Sequence, residues 1–277
     1  MIKDITLGQY IPGDSALHRA DPRTKIILTF LYMIILFMIK TPAEFMVKTY
    51  AGFAAVAFFT LLAIVVSGIP LKYTLKGLKP ILIIIVFTMV INIFSTQGTP
   101  VYPTGLLSRI TFEGINTAIT MALRLALLII GASLLTLTTT PILLTDGIEK
   151  LLQPFKKLGL PAHELAMMMT IALRFIPTLL EETDKIMKAQ SARGADFDTG
   201  NLIQRAKSFI PVLVPLFVSA FRRADELATA MEARCYRGSI GRTRMRQLKL
   251  GRNDVIIASA SCIFFAGLLL LQYANLG

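Results

Sequence analysis

Residues 162–194 read AHELAMMMTIALRFIPTLLEETDKIMKAQSARG, and residues 209–235 read FIPVLVPLFVSAFRRADELATAMEARC. Each stretch begins apolar, ends charged, and carries helical patterning throughout. Helix punctuation at Pro141, Gly159, Pro161 and the turn ADFDTG at 195–200 divides the surrounding segment, residues 140–252, into three helices of about 142–157, 162–192 and 201–234. The last two form an internal quasi-repeat: Phe175-Ile176-Pro177 precedes one charged end and Phe209-Ile210-Pro211 the other, and Ala189, Ala192 and Arg193 recur as Ala230, Ala233 and Arg234. Their apolar halves make poor membrane spans. Residues 165–180 contain Arg174 and Pro177, and residues 209–221 are short and hold two prolines. Arg174 at mid-bilayer would cost about 2.5 to 3.5 kcal/mol on a lenient insertion scale. Both are therefore read as long helices lying partly in the inner leaflet, with charged ends running into the cytosol. The two charged tips are expected to project to the same side.

Outward from this segment the chain is strongly apolar. Of 277 residues, 54% are hydrophobic and only 17% charged, with a mean hydropathy of +0.64; a soluble domain carries about 25% charge. Five stretches suit a bilayer: about 24–39, 49–67, 80–96, 114–139 and 253–275. The fold class is thus an all-α integral membrane protein, with about five transmembrane helices and three long amphipathic helices between the fourth and fifth. The organisation is residues 1–139 with four spans, residues 140–252, and residues 253–277 with the last span. Net charge is +12, and with this hydropathy it points to the anionic face of a lipid bilayer rather than to nucleic acid. Lys3, Arg19, Arg23 and Lys25, then Lys72, Lys76 and Lys79, outweigh Lys40, Lys48 and Arg109 on the opposite side. Arg242, Arg244, Arg246, Lys249 and Arg252 crowd before the last span. The N-terminus and the large segment are expected in the cytosol and the C-terminus outside. Residues 1–23 lack the pattern of a cleavable signal. Asp21 can cap the first span and Pro22 suits its first helical position. Residues 97–108, QGTPVYPTGLLS, read as an exterior loop or short hairpin.

Candidate functional residues are few. Each long helix ends in Ala-Arg followed by a small residue: Ala192-Arg193-Gly194 and Ala233-Arg234-Cys235. A planar guanidinium with five donors and small flanking side chains can enter a groove and grip carboxylates or carbonyls. The alternative is that both arginines only complement helix C-terminal dipoles, worth about 0.3 to 1 kcal/mol each. Within the fourth span Arg124, Thr120 and Asn116 share one polar stripe. An intramembrane arginine is a functional site by default; the competing reading has it bonding carbonyls or Asn92 inside the bundle. Gly114, Ala118, Ala122 and Ala126 form a small-residue stripe open to close helix approach. Met167, Met168 and Met169 form either a deformable surface for interchangeable partners or ordinary core. There is no G-x-x-x-x-G-K-S/T run to cradle phosphates. His18 and His163 lack an accompanying carboxylate cluster and are placed near helix entries, Asp196 and Asp198 in a solvated turn, and Cys235 and Cys262 as free thiols.

These residues resemble the transmembrane T component of energy-coupling factor transporters. The likeness is carried by YIPGDSALHRADPRTK at 10–25, by LTTTPILLTDGIEKLLQPFKKLGLPAHELAMMMTIALRFIPTLLEETDKIMKAQSARGADF at 137–197, and by PVLVPLFVSAFRRADELATAMEARCYRG at 211–238. The resemblance implies that Ala192-Arg193-Gly194 and Ala233-Arg234-Cys235 are two Arg-centred motifs that end long coupling helices and dock into two ATPase subunits. It further implies a separate substrate-binding membrane S subunit above the coupling helices, several such subunits being interchangeable in the shared form. It implies vitamin or micronutrient uptake across a prokaryotic cell membrane. This chain would be non-catalytic and bind no cofactor, ATP and Mg being used by its partners. A self-sufficient secondary transporter and a membrane-embedded enzyme are the competing readings, and either would work without added ATPases. One departure is Cys235, where the family pattern closes with Gly; if that position is a left-handed helix cap, Cys adds strain of order 1 kcal/mol.

Overall fold

The computed structural model describes residues 10–39, 46–100, 110–159, 161–197, 199, 201–238 and 248–273. Most of the exterior loop expected at 97–108 lies outside these residues, as do Lys40, Arg109, Asp198, Arg242, Arg244, Arg246 and the end of the C-terminal tail. Among the described residues there are helices and one isolated bridge, Pro100 with Thr111, and no strand. The chain divides into two compact units, residues 148–247 and residues 8–147 together with 248–277.

The second of these units is the apolar one. It contains α1 (Ala16–Arg19), α2 (Pro22–Met38), α3 (Met46–Ser67), α4 (Leu71–Lys76), α5 (Leu82–Ser95), α6 (Phe112–Thr138), the start of α7 (Pro141–Leu152), and α11 (Arg252–Tyr273). The caps follow local chemistry. Ser15 accepts from the His18 N–H at α1; Asp21 accepts from the Arg23 N–H at α2, with Pro22 next to it; Thr111 accepts from the Gly114 N–H at α6. α6 is the hub, packed by α2, α3 and α5, while α11 packs on α2 and α3. The core gathers Tyr32, Ile35, Leu36, Ile39, Phe53, Val56, Leu127, Phe265 and Leu268. The Tyr32 hydroxyl donates to the Leu127 carbonyl (3.0 Å) and meets Thr60 Oγ1 (3.0 Å). Gly131 lets this ring lie directly on α6, since a Cβ there would overlap it. The small-residue stripe works as expected at Gly114, where an added Cβ would sit 3.0 Å from the Ile93 carbonyl of α5. The rest of α5 faces outward, Ile83, Phe87 and Phe94 among its exposed side chains. In hydrocarbon such a face needs no cover, because lipid tails are as apolar as the side chains.

All five expected spans are helices. α2 has 17 residues and α5 has 14, about 26 Å and 21 Å long, short of a hydrocarbon core near 30 Å. Among the described residues the helices long and apolar enough to cross a membrane also number five, but they are Thr49–Ser67, Phe112–Thr138, Ala162–Ala192, Ile203–Ala233 and Arg252–Gln272. Length and composition therefore admit the two long segment helices that the sequence reading set aside. Their best windows reach a mean hydropathy of 1.2, against 2.2 to 2.3 for the others.

The first-named unit, residues 148–247, contains the end of α7, a 3-10 turn Gln153–Leu158, α8 (Ala162–Ala192), α9 (Leu202–Ser208) and α10 (Ile210–Ala233). The helix expected at 162–192 is found at those bounds. The helix expected at 201–234 is broken into two at Phe209. Pro211 has no N–H to offer the carbonyl one turn back, so α9 closes with Phe209 N–H on Ala206 O (3.3 Å), and α10 restarts with Leu213 N–H on Phe209 O (2.9 Å).

Candidate functional site

The two Ala-Arg tips end their helices in the same way. At α8 the Gly194 N–H donates to Ser191 O (3.0 Å) and the Ala195 N–H to Gln190 O (3.0 Å), with Gly194 at φ +90°. At α10 the Cys235 N–H donates to Glu232 O (2.8 Å) and the Tyr236 N–H to Met231 O (3.0 Å), with Cys235 at φ +54°. Both are Schellman closures, in which a left-handed residue turns the last carbonyls inward and stops the helix. Each places an arginine at the last position before the turn, Arg193 and Arg234. Both side chains are exposed, and among the described residues neither guanidinium has a hydrogen-bonding or ionic partner. Cys235 is the one non-glycine residue at positive φ among those described. The cap expected for a glycine is thus formed on a cysteine.

α8 and α10 are joined at equivalent points of the quasi-repeat. Arg223 Nη2 donates to Glu182 Oε2 at 2.8 Å, and the two residues are 41 apart, the same offset as Arg193 and Arg234. Gln190, further along α8, reaches the carbonyl of Pro211, further back along α10 (3.5 Å). The pair is therefore antiparallel. The two tips therefore point away from each other along the pair. Arg193 lies about 16 Å beyond the crossing in one direction and Arg234 about 16 Å beyond it in the other, at 1.5 Å per residue. Met168 and Met169 on α8 are more than half exposed (55% and 54%), so they are surface rather than core. His18 and His163 do stand at helix entries, on Ser15 Oγ (2.7 Å) and Glu149 Oε1 (3.1 Å). Asp196 receives the N–H of Thr199 (3.2 Å) in the turn after α8.

The intramembrane stripe on α6 resolves into separate bonds. Asn116, Thr120 and Arg124 are all buried on one face, but their side chains do not bond to one another. Thr120 Oγ1 donates to the Asn116 carbonyl (2.9 Å), Asn116 Oδ1 accepts from the Tyr50 hydroxyl (2.6 Å), and Arg124 Nη2 donates to the Ile39 carbonyl (2.7 Å). Asn92 turns to Thr88 of its own helix. Ile39 is the C-cap of α2. Arg124 thus supplies a donor to a helix end that stops short, and its guanidinium carbon sits 5.9 and 5.8 Å from the Phe37 and Phe53 ring centres. Of the two sequence readings, the carbonyl-bonding one describes the geometry.

A cavity of about 420 Å³ lies among α2, α3, α6 and α11, lined by Leu28, Phe59, Leu134, Phe264 and other apolar side chains with Lys25, Tyr32 and Thr60 at its wall. Sequence reading found no such cavity, because its walls come from four distant helices. Its Lys25, Tyr32 and Thr60 side chains are engaged within the protein.

The cobalt transport protein family (CbiQ) model matches residues 13–245. The chain is 64% identical over 273 residues to the energy-coupling factor transporter transmembrane protein EcfT of Ruminiclostridium cellulolyticum, covering 99% of both chains. It is 58% identical over 265 residues to that of Clostridium kluyveri, covering 95% of both. With that of Bacillus subtilis it shares 48% over 271 residues, covering 96% of this chain and 99% of the relative.

Two measurements follow from the geometry. Arg124→Met leaves the Ile39 carbonyl bare and should destabilise the protein by about 1 to 3 kcal/mol in thermal or denaturant unfolding in detergent; an unchanged midpoint would count against the cap. Cys235→Gly removes a left-handed side chain and should stabilise by about 1 kcal/mol in the same assay, with Arg234 untouched.

Proposed function

We propose a mechanical role for this chain, which belongs to the EcfT family of energy-coupling factor transporter transmembrane proteins. It is a multi-pass membrane protein and the energy-coupling subunit of such a transporter. The proposal concerns how the coupling is done. Arg193 and Arg234, each presented by a Schellman closure at the far end of an antiparallel helix pair, are the docking tips for two ATPase subunits. One observation carries this: two exposed guanidinium groups, without partners among the described residues, stand at equivalent positions of a repeat, about 30 Å apart. That arrangement suits a partner with two separated acceptor grooves better than one acidic patch.

The antiparallel sense also bears on the membrane. If α8 and α10 crossed the bilayer, their tips would emerge on opposite faces, and two ATPases drawing on cytosolic ATP could not take both. Helices that lie along the inner leaflet keep both tips in the cytosol. The N-terminus and residues 148–247 are accordingly cytoplasmic and the C-terminus outside, as the Lys and Arg distribution favours. A substrate-binding membrane S subunit of the micronutrient class completes the transporter. It would rest on exposed apolar residues such as Met168, Phe217 and Phe221. Metal, nucleotide and vitamin chemistry then belong to the partners, and the chain acts without catalysing a reaction.

Arg193→Ala combined with Arg234→Ala removes two charge-assisted anchors worth about 1.5 to 3 kcal/mol each. ATPase co-purification should fall at least a hundredfold and ATP-driven uptake into proteoliposomes should vanish; normal coupled uptake in the double variant would sink the docking role. A cysteine at Thr199 in a chain without its two native thiols should react with an impermeant maleimide only from the cytosolic side, and labelling from outside would overturn the in-plane placement.

A further inference from the structure

The turn Asp21-Pro22-Arg23-Thr24-Lys25, at the start of α2, ties down both ends of the segment that carries the tips. At the departing end, buried Lys25 Nζ donates to the Thr138 carbonyl (3.1 Å), to Thr139 Oγ1 (3.1 Å) and to the His18 carbonyl (3.2 Å). Thr138 and Thr139 close α6 immediately before α7. Further along α7, Gly147 lies against the same turn, where an added Cβ would stand 3.1 Å from Pro22 Cβ and 3.1 Å from Ile26 Cδ1. At the returning end, Arg23 Nη2 donates to the Leu248 carbonyl (2.9 Å). Asp254 Oδ1 accepts the Asp21 N–H (2.6 Å) while its Oδ2 accepts the Gly251 N–H (2.7 Å) at the start of α11. Asp21 itself pairs with Arg23 (3.1 Å).

Everything in this cluster belongs to the unit formed by residues 8–147 and 248–277. Asp21, Lys25 and Asp254 are at most 8% exposed. Three buried charged side chains, with half-buried Arg23 beside them, would be a poor choice for stability alone, since apolar packing of the same volume does as well or better. What they provide is direction. Each bond fixes a backbone atom at the exact point where the chain leaves the spans or rejoins them, so the two ends cannot move apart.

We infer that this charged turn is the fulcrum of the subunit: Lys25 and Arg23 are positioning residues that hold both roots of the coupling segment together, so that a displacement at the tips reaches the membrane helices as rotation instead of being lost in slack connections. The inference rests on the docking role proposed for Arg193 and Arg234.

The test uses the complete transporter in proteoliposomes, with assembly, ATP hydrolysis and substrate uptake measured on one preparation. Lys25→Met keeps the length and removes all three donors. Uptake per ATP hydrolysed should fall at least tenfold while ATPase co-purification stays within twofold of the unaltered protein, and Lys25→Arg should restore much of the ratio. An unchanged ratio overturns the inference, and so does a parallel fall in assembly, hydrolysis and uptake, which is what a scaffold contact would give. Should Lys25→Met fail to reach the membrane, Arg23→Gln, which frees Leu248 while leaving Lys25 in place, carries the same expectation; loss of assembly in both variants also overturns it. The Arg193→Ala, Arg234→Ala protein run alongside separates the two ideas. If it keeps its ATPases, the docking role fails, and the ratio for Lys25→Met still reports on the fulcrum.

Discussion

Helix ends inside or near a bilayer have carbonyls that water cannot reach, and this protein answers that constraint with cations. An α-helix leaves its last carbonyls without internal partners, and in hydrocarbon each bare group costs several kcal/mol. α2 stops at Met38 with its cap carbonyl at Ile39, and Arg124 from mid-α6 donates to it. α6 stops at Thr138, and Lys25 donates there and to the end of α1 as well. The same electrostatic preference of cations for helix C-termini thus fixes where three helices may end. Once those ends are fixed, the short length of α2 follows, and so does the single place from which the segment 148–247 departs.

The two exposed tips use the other solution. Where solvent is available, a Schellman closure satisfies the last carbonyls from the backbone itself, so Arg193 and Arg234 have no internal work and stay available to a partner. The contrast separates arginines by role: Arg124 is consumed by the fold, while Arg193 and Arg234 are held out from it by caps. Cys235 shows how far the closure is favoured. The φ of +54° is adopted without a glycine, and both closing hydrogen bonds are kept at 2.8 and 3.0 Å.

How much of this could be read beforehand depended on whether the signal was local. Asp21 and Pro22 announce the start of α2, and Pro161 and the Arg-Gly ending bound α8 at the residues found. The tips were visible because each is a short motif on a patterned helix. The break at Phe209 was missed, although Pro211 carries it, because the apolar run continues across the gap. Arg124 was visible as a polar residue in a span, but its acceptor is a backbone carbonyl, which has no sequence signature. Lys25 was counted only as one of several charges setting orientation, for the same reason. The crossing of α8 and α10 was within reach: Glu182 and Arg223 hold opposite charges at equivalent positions of the repeat, and such a pair can join the two helices about a local two-fold.

That local two-fold has a mechanical consequence. Equal arms of about 16 Å extend from the Glu182–Arg223 crossing to the two tips, so sideways forces in the same sense at both tips turn the two helices in opposite directions about the crossing. A shift of about 5 Å at each tip would turn each helix by roughly 17°, by the same helix geometry. A partially exposed ion pair, at 36% and 28% side-chain exposure, suits such a pivot, because exposed pairs contribute at most about 1 kcal/mol and can be re-formed at a new angle with little cost. A tightly interdigitated apolar crossing would resist the same turn, since packed cores yield poorly to small displacements. The weakness of this bond therefore lets the crossing re-form at a new angle, whereas the buried Lys25 and Arg124 hold helix ends within the other unit.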